Sequence, residues 1–170
     1  MNSTLSINNT ARTVITDLLV LTAVYFIPAF VHATSFPLYY FEPMRLLLFA
    51  AYLVNRNNAN AFLLALTLPL VSTIFPPHHP PFYKAVIMSM ELAVNLGCFI
   101  VLANKSKWPA FVLFFISTVI SKVFYYCLKY IFIKLALIEG SLISTDLATQ
   151  LITLSLLSLL FAIFYRRQKA

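Results

Sequence analysis

Charged residues are scarce in this chain, since Lys, Arg, Asp and Glu together make up only 10% of its 170 residues. A soluble globular domain carries about 25% charged residues, and a disordered chain carries few apolar ones. Here 61% of the residues are hydrophobic and the mean hydropathy is +0.88. The composition therefore excludes both classes and indicates a protein whose surface contacts lipid.

Acidic residues are the scarcer of the charged groups: five Asp and Glu stand against twelve Lys and Arg, and the formal net charge is +7. In a soluble protein such an excess would suggest nucleic-acid binding. The basic residues here cluster at the ends of apolar runs, where anionic lipid headgroups account for them. We therefore expect the lipid bilayer as a partner, and no nucleic acid.

Glycine and cysteine are also rare, with two residues of each. So few glycines leave no Gly-rich loop for a phosphate group, and no hydrolase, kinase or zinc-peptidase motif is present. Cys98 and Cys127 lie within apolar runs and are interpreted as buried apolar residues rather than a disulfide. His78 and His79 are adjacent in a proline-rich segment, where neighbouring side chains point apart, so no metal site is expected. We expect no enzyme and no cofactor.

Long apolar runs, separated by short polar or proline-rich connections, fill the rest of the chain. A helix needs about 20 residues to cross the hydrocarbon core of a membrane. The pattern predicts an all-α, polytopic integral membrane protein with one membrane domain, residues 1–170, and six transmembrane helices over about residues 13–33, 43–54, 59–75, 82–103, 108–133 and 145–165. The second run is too short to span alone unless the segment 39–42 dips into the bundle.

Six crossings place both termini on one side of the membrane. That side collects most of the basic residues that lie at helix ends: Arg12, Arg56, Lys105, Lys107, Arg166, Arg167 and Lys169. Because an excess of Lys and Arg marks the cytoplasmic face, we expect a multi-pass protein of the cell's inner (plasma) membrane with both termini cytoplasmic. The connections on the other side, at about 35–42, 75–81 and 134–144, are longer, so recognition is expected at the outer face.

Two opposite charges fall near the middle of apolar runs, Glu91 in the fourth and Lys122 in the fifth. A charge at that depth costs several kcal/mol unless it is paired or lines a wet cavity. Asn95 shares a helical face with Glu91, and Tyr125 and Lys129 lie with Lys122. This polar stripe predicts a substrate pocket or ion path that opens outward. The alternative is a structural ion pair that fixes helix packing.

Further candidates lie near the expected mouth of this pocket. Glu42 and Arg45, three residues apart, form either a helix cap with a surface ion pair or a site in which Arg45 faces the bundle. The preceding aromatic run Tyr39-Tyr40-Phe41 fits an interfacial belt or a lid that stacks on a flat ring. Lys84, at the start of the fourth helix, is placed to reach the same mouth.

Several segments together resemble a known family. Arg45 opens the short second helix, and the remaining segments follow in order as NANA (58–61), LPLVS (68–72), HP (79–80), MSMELAVN (88–95), ISKV (120–123) and YY (125–126). With six predicted helices, 170 residues and both termini inside, the chain is similar to the S-components of energy-coupling factor vitamin transporters.

The resemblance implies a function and a set of partners. S-components bind a micronutrient from the outer face and associate with a transmembrane coupling subunit and two cytoplasmic ATPases, and ATP hydrolysis topples the S-component to release its ligand inside. They often carry small residues four apart on the first helix, where they dock to the coupling subunit. Here residues 13–17 read TVITD, and the small spacing occurs at Ala61 and Ala65 of the third run.

We therefore expect a membrane-embedded substrate-binding subunit that captures a small, flat, partly anionic molecule, such as a vitamin, for uptake. Its substrate-binding residues are predicted to be Glu91, Asn95, Lys122, Tyr125, Lys129, Arg45, Lys84, Tyr39 and Tyr40. Two other functions stay open: a non-catalytic scaffold or assembly subunit like the rod-shape-determining membrane proteins, and an intramembrane enzyme.

Overall fold

The computed structural model describes residues 2–34, with side chains from 10 to 27, and residues 41–73, 82–143 and 145–165. Within these ranges the regular structure is helical, and the all-α prediction is confirmed. Six α-helices follow in order: α1 (Asn2–Thr34), α2 (Pro43–Asn55), α3 (Asn58–Val71), α4 (Phe82–Lys105), α5 (Ala110–Lys134) and α6 (Leu147–Phe164). Helix α1 begins at Asn2 rather than near residue 13, because residues 2–12 contain neither proline nor glycine to interrupt it.

Local sequence signals explain several of the helix ends. Pro43 stands at the start of α2, where a missing N–H costs no hydrogen bond. The Asn57 side chain caps α3 by accepting a hydrogen bond from the backbone N–H of Asn60 at 3.2 Å. The Asp146 carboxylate caps α6, since it accepts from two backbone N–H groups of the first turn at 3.1 and 3.3 Å.

Among the residues that the structure describes, four helices are long and apolar enough to cross a membrane: the Thr10–Ile27 part of α1, and α4, α5 and α6. Helices α2 and α3 have 13 and 14 residues, so at 1.5 Å per residue each is about 20 Å long. Large apolar side chains on the outer surface, such as Leu18 and Ile163, are exposed, as expected where lipid covers them. The four long helices indicate a multi-pass membrane protein.

Helix α4 lies at the centre of the packing, with its most extensive contacts to α5 and α3. Helix α6 packs on α5, and α1 packs on α2. The residues that meet between these helices are apolar and fully buried, among them Leu48, Leu68, Leu96 and Leu113. The free thiols of Cys98 and Cys127 form no disulfide; Cys98 is half-buried and Cys127 is exposed rather than buried.

Aromatic rings fill one end of the bundle, near the turn between α4 and α5. This aromatic cluster consists of Phe49, Phe99, Phe114, Phe161 and Tyr165, with ring centroids 4.8 Å apart for Phe49 and Phe114 and 5.1 Å apart for Phe99 and Phe161. The guanidinium of Arg56 lies over the Tyr165 ring at 5.1 Å. Edge-to-face and stacked ring pairs of this kind add to the stabilisation from burial alone.

Candidate functional site

Four charged side chains from three parts of the chain meet inside the bundle. In this ion network (Glu42, Arg45, Glu91 and Lys122), the Arg45 guanidinium donates to both carboxylates. Lys122 pairs with Glu42, and its Nζ lies 3.4 Å from Oε1 of Glu91. Two carboxylates therefore balance two cations, which lowers the cost of holding all four in a membrane interior.

The ion network has a buried side and a more open side. The side chains of Arg45 and Glu91 are 3% and 7% exposed, whereas those of Lys122 and Glu42 are 25% and 24% exposed. Charges that water reaches poorly interact more strongly and are costlier to leave unpaired. Arg45 and Glu91 thus form the anchor of the ion network, and Glu42 and Lys122 form the part that faces open space.

The short helix α2 explains how these charges come together. Because α2 starts well inside the bundle, its first turn brings Arg45 against the middle of α4 and α5, which carry Glu91 and Lys122. Glu42 precedes α2 with φ 47° and ψ 59°, a left-handed conformation that is unfavourable for a residue with a side chain. Its backbone carbonyl accepts from the N–H of Arg45 at 2.9 Å, but its carboxylate does not cap the helix. Glu42 therefore occupies the N-cap position without capping through its side chain, and of the two alternatives the structure shows the one in which Arg45 is buried in the bundle.

A cavity of about 370 Å³ opens beside the ion network, within the size range of small-molecule sites. It lies where α2, α4 and α6 begin and toward the ends of α1 and α5. Its polar lining consists of Glu42, Arg45, Lys84, Glu91, Lys122, Tyr125, Tyr126, Thr145, Thr149, Gln150 and Thr153. Its apolar lining consists of Ile27, Pro43, Met44, Met88 and Leu92.

The structure places five of the nine predicted site residues in the lining of this cavity: Arg45, Lys84, Glu91, Lys122 and Tyr125. Asn95 lies elsewhere, fully buried between α4 and α5, where it donates to the Thr118 hydroxyl at 3.3 Å and accepts from Ser117 at 3.0 Å. Tyr39 and Tyr40 lie outside the described residues. The expected single stripe is thus divided: Glu91, Lys122 and Tyr125 line the cavity, whereas Asn95 lies inside the interface of α4 and α5.

Lys129 also lies away from the cavity lining. It is buried, and its ammonium donates to the backbone carbonyl of Leu142 at 2.9 Å. The contact ties α5 to the segment that connects it with α6. Lys129 therefore stabilises the segment between α5 and α6, at the cavity end of the bundle. The i, i+7 spacing from Lys122 did not indicate this role.

Helix α6 contributes a polar wall that the sequence reasoning missed. Thr149 and Thr153 are four residues apart and share one face, with Gln150 beside them. The Tyr126 hydroxyl donates to Oε1 of Gln150 at 2.8 Å, which joins this wall to α5. The threonine spacing, which begins at Thr145, is the signal that would have revealed the wall.

The site offers fixed charges, hydroxyl and amide groups, and one aromatic face. Lys122 Nζ lies 5.7 Å from the centroid of the Tyr125 ring, a cation–π distance. No group of three or more His, Cys, Asp or Glu residues suitable for a metal ion occurs in the described part of the chain. The arrangement can bind a small molecule by charge, hydrogen bonds and ring stacking.

Comparison of the chain with protein-family models, with curated protein sequences and with solved structures gives no match. The fold and the site therefore define the protein only as a class: an all-α membrane protein with several long apolar helices and a charged internal cavity.

Proposed function

We propose that this protein is a membrane-embedded substrate-binding subunit that captures a small, micronutrient-like molecule for uptake. The observation that carries the proposal is the cavity of about 370 Å³ against which four mutually paired charges are held. Intramembrane charges that border a cavity are typical of substrate paths. A bundle that only needed rigidity would be served as well by apolar residues at these positions.

The charge distribution supports capture from the outer face. The cavity lies at the end of the bundle that holds the starts of α4 and α6, represented by Lys84 and Thr149. The short turns at the opposite end carry Arg56, Lys105 and Lys107. Since basic turns face the cytoplasm, the cavity would open outward, and both termini would be cytoplasmic.

The S-component resemblance supplies the rest of the proposal. In this arrangement all six helices belong to the membrane domain, including the short α2 and α3. A transmembrane coupling subunit and ATPase subunits would then provide the energy for release.

A scaffold or assembly subunit is the second candidate, and one observation favours it. The ion network balances its own charges, and Asn95 pairs with hydroxyls on α5. Such pairing fixes helix register without any ligand. The two candidates differ in what happens to bound small molecules when the ion network is changed.

The test is mass spectrometry of small molecules that copurify with the gently solubilised protein, expressed in several hosts. We expect one compound to be retained by the wild type and by Lys105→Met, which removes an exposed lysine at the opposite end of the bundle. Glu91→Gln with Lys122→Met should lose the compound and still yield folded protein by gel filtration. An empty wild-type protein from every host would favour the scaffold.

A further inference from the structure

The two carboxylates of the ion network differ in how firmly they are held. Glu91 projects from the middle of α4 and is almost completely buried. Glu42 precedes α2, is about a quarter exposed, and lines the cavity. Both cations of the ion network contact Glu42, so displacement of this one carboxylate would free N–H donors on both at once.

The backbone of Glu42 favours such a displacement. Its φ of 47° and ψ of 59° place a side-chain-bearing residue in the left-handed region, a conformation that persists only where surrounding contacts hold it. The carboxylate makes no capping hydrogen bond to α2. The backbone carbonyl of Glu42 accepts from the N–H groups of Arg45 and Leu46, and the ion pairs with Arg45 and Lys122 add to this hold. A competing anion would remove the side-chain contacts that help to keep Glu42 in the left-handed conformation.

The cavity also has unused capacity for negative charge. Nε of the buried Arg45 has no hydrogen-bond partner among the described residues, although a buried donor of this kind is normally satisfied. Lys84 lines the same cavity, and no carboxylate in the described part of the chain pairs with it. The charged lining residues thus comprise three cations and two carboxylates, which leaves the cavity one positive charge in excess.

We infer that the cavity accepts a molecule with a carboxylate-like group, and that this group binds Arg45 and Lys122 by taking the place of the Glu42 carboxylate. The inference rests on the proposed function and names the chemical class of its substrate. The anionic group exchanges with Glu42, Lys84 offsets the charge that the ligand brings in, and the rest of the molecule lies along Tyr125 and the threonine face of α6. Glu91 stays in place and keeps Arg45 oriented.

Chemical rescue with acetate tests this exchange without knowledge of the natural ligand. Glu42→Ala removes Cγ and the carboxylate, and acetate has the size and charge of the missing part. We expect acetate to raise the Tm of purified Glu42→Ala by about 2–4 °C at five times its dissociation constant. Acetamide, which is neutral and nearly the same shape, should give no rise, and sodium chloride should keep the ionic strength equal in every sample.

The matched control is Glu139→Ala, which removes an exposed glutamate outside the cavity lining. Its Tm should respond equally to acetate and acetamide. In the wild type the tethered Glu42 carboxylate competes with free acetate for Arg45 and Lys122, so its rise with acetate should be smaller than that of Glu42→Ala. If Glu42→Ala does not fold, Glu42→Gln keeps the side-chain shape and should show a smaller rise with the same preference for acetate. Equal responses to acetate and acetamide in the folded variant would overturn the exchange.

This outcome is separable from that of the copurification experiment. If a compound copurifies but acetate does not rescue Glu42→Ala, the result would support substrate capture and reject the exchange at Glu42. Rescue in a protein that never retains a compound would keep the anion site and count against capture.

Discussion

The anchor pair of the ion network provides the sharpest test of the structure. Arg45→Met leaves two carboxylates to share Lys122, and Glu91→Gln leaves two cations to share Glu42. Breaking a buried ion pair costs about 3–5 kcal/mol. Because Glu42 and Lys122 remain partly exposed and can compensate, we expect the lower end, about 3 kcal/mol, for each single variant. The double variant keeps a balanced Glu42–Lys122 pair and should lose only about 1 kcal/mol.

Thermal unfolding in detergent measures these differences. For a chain of this size, 1 kcal/mol corresponds to about 2–4 °C in Tm, so each single variant should unfold about 6–12 °C below the wild type. Lys105→Met, an exposed substitution at the opposite end, should stay within about 2 °C of it. Independent sites give additive changes to within about 0.5 kcal/mol. A double variant as unstable as the sum of the singles would refute the ion network as drawn.

Three further predictions concern residues near the site. Asn95→Ala should lower stability by about 1–2 kcal/mol, because the buried Thr118 hydroxyl loses its amide donor while Ser117 keeps its bond to the Phe114 carbonyl. The variant should retain any copurified compound, since Asn95 does not line the cavity; loss of the compound would contradict this. Asp146→Ala should cost about 1 kcal/mol through the lost helix cap, seen as faster hydrogen exchange in the first turn of α6 and nowhere else. Lys129→Met should speed proteolysis between residues 135 and 146, because the contact to Leu142 is lost; unchanged cleavage would show that Lys129 does not hold this connection.

The charged centre of the site could be predicted in part from the sequence. Glu91 and Lys122 stand out because each interrupts an apolar run near its middle, and the structure places them 3.4 Å apart. The orientation of Arg45 stayed open, since spacing alone does not say how deep α2 starts. The role of Glu42 also stayed open between a cap and a partner of a buried Arg45, because its position before a helix fits both; the structure places its carboxylate on Arg45 and Lys122.

The remaining differences have similar physical causes. Helical periodicity placed Asn95 and Lys129 on the faces that carry Glu91 and Lys122, but it does not fix which part of a face meets a neighbour and which part borders a void. Asn95 meets α5, and Lys129 meets the connection to α6. The helix count followed from the positions of proline-rich and polar segments, whereas the start of α1 did not, because a polar helix end carries no apolar pattern.

Under the proposed function, the aromatic cluster would limit the route by which a bound molecule could leave. Its rings contact one another at the bundle end opposite the cavity, so among the described residues packed aromatic side chains would lie between a solute beside Lys122 and that end. The chain has only two glycines, and Gly97 of α4 faces the Phe62 ring of α3, so the helices that carry the aromatic cluster have a single glycine at which the backbone could bend. On its own the protein would therefore bind and release its ligand through the same opening of the cavity. Delivery to the other side of the membrane would require another subunit either to reorient the whole helix bundle or to separate its helices.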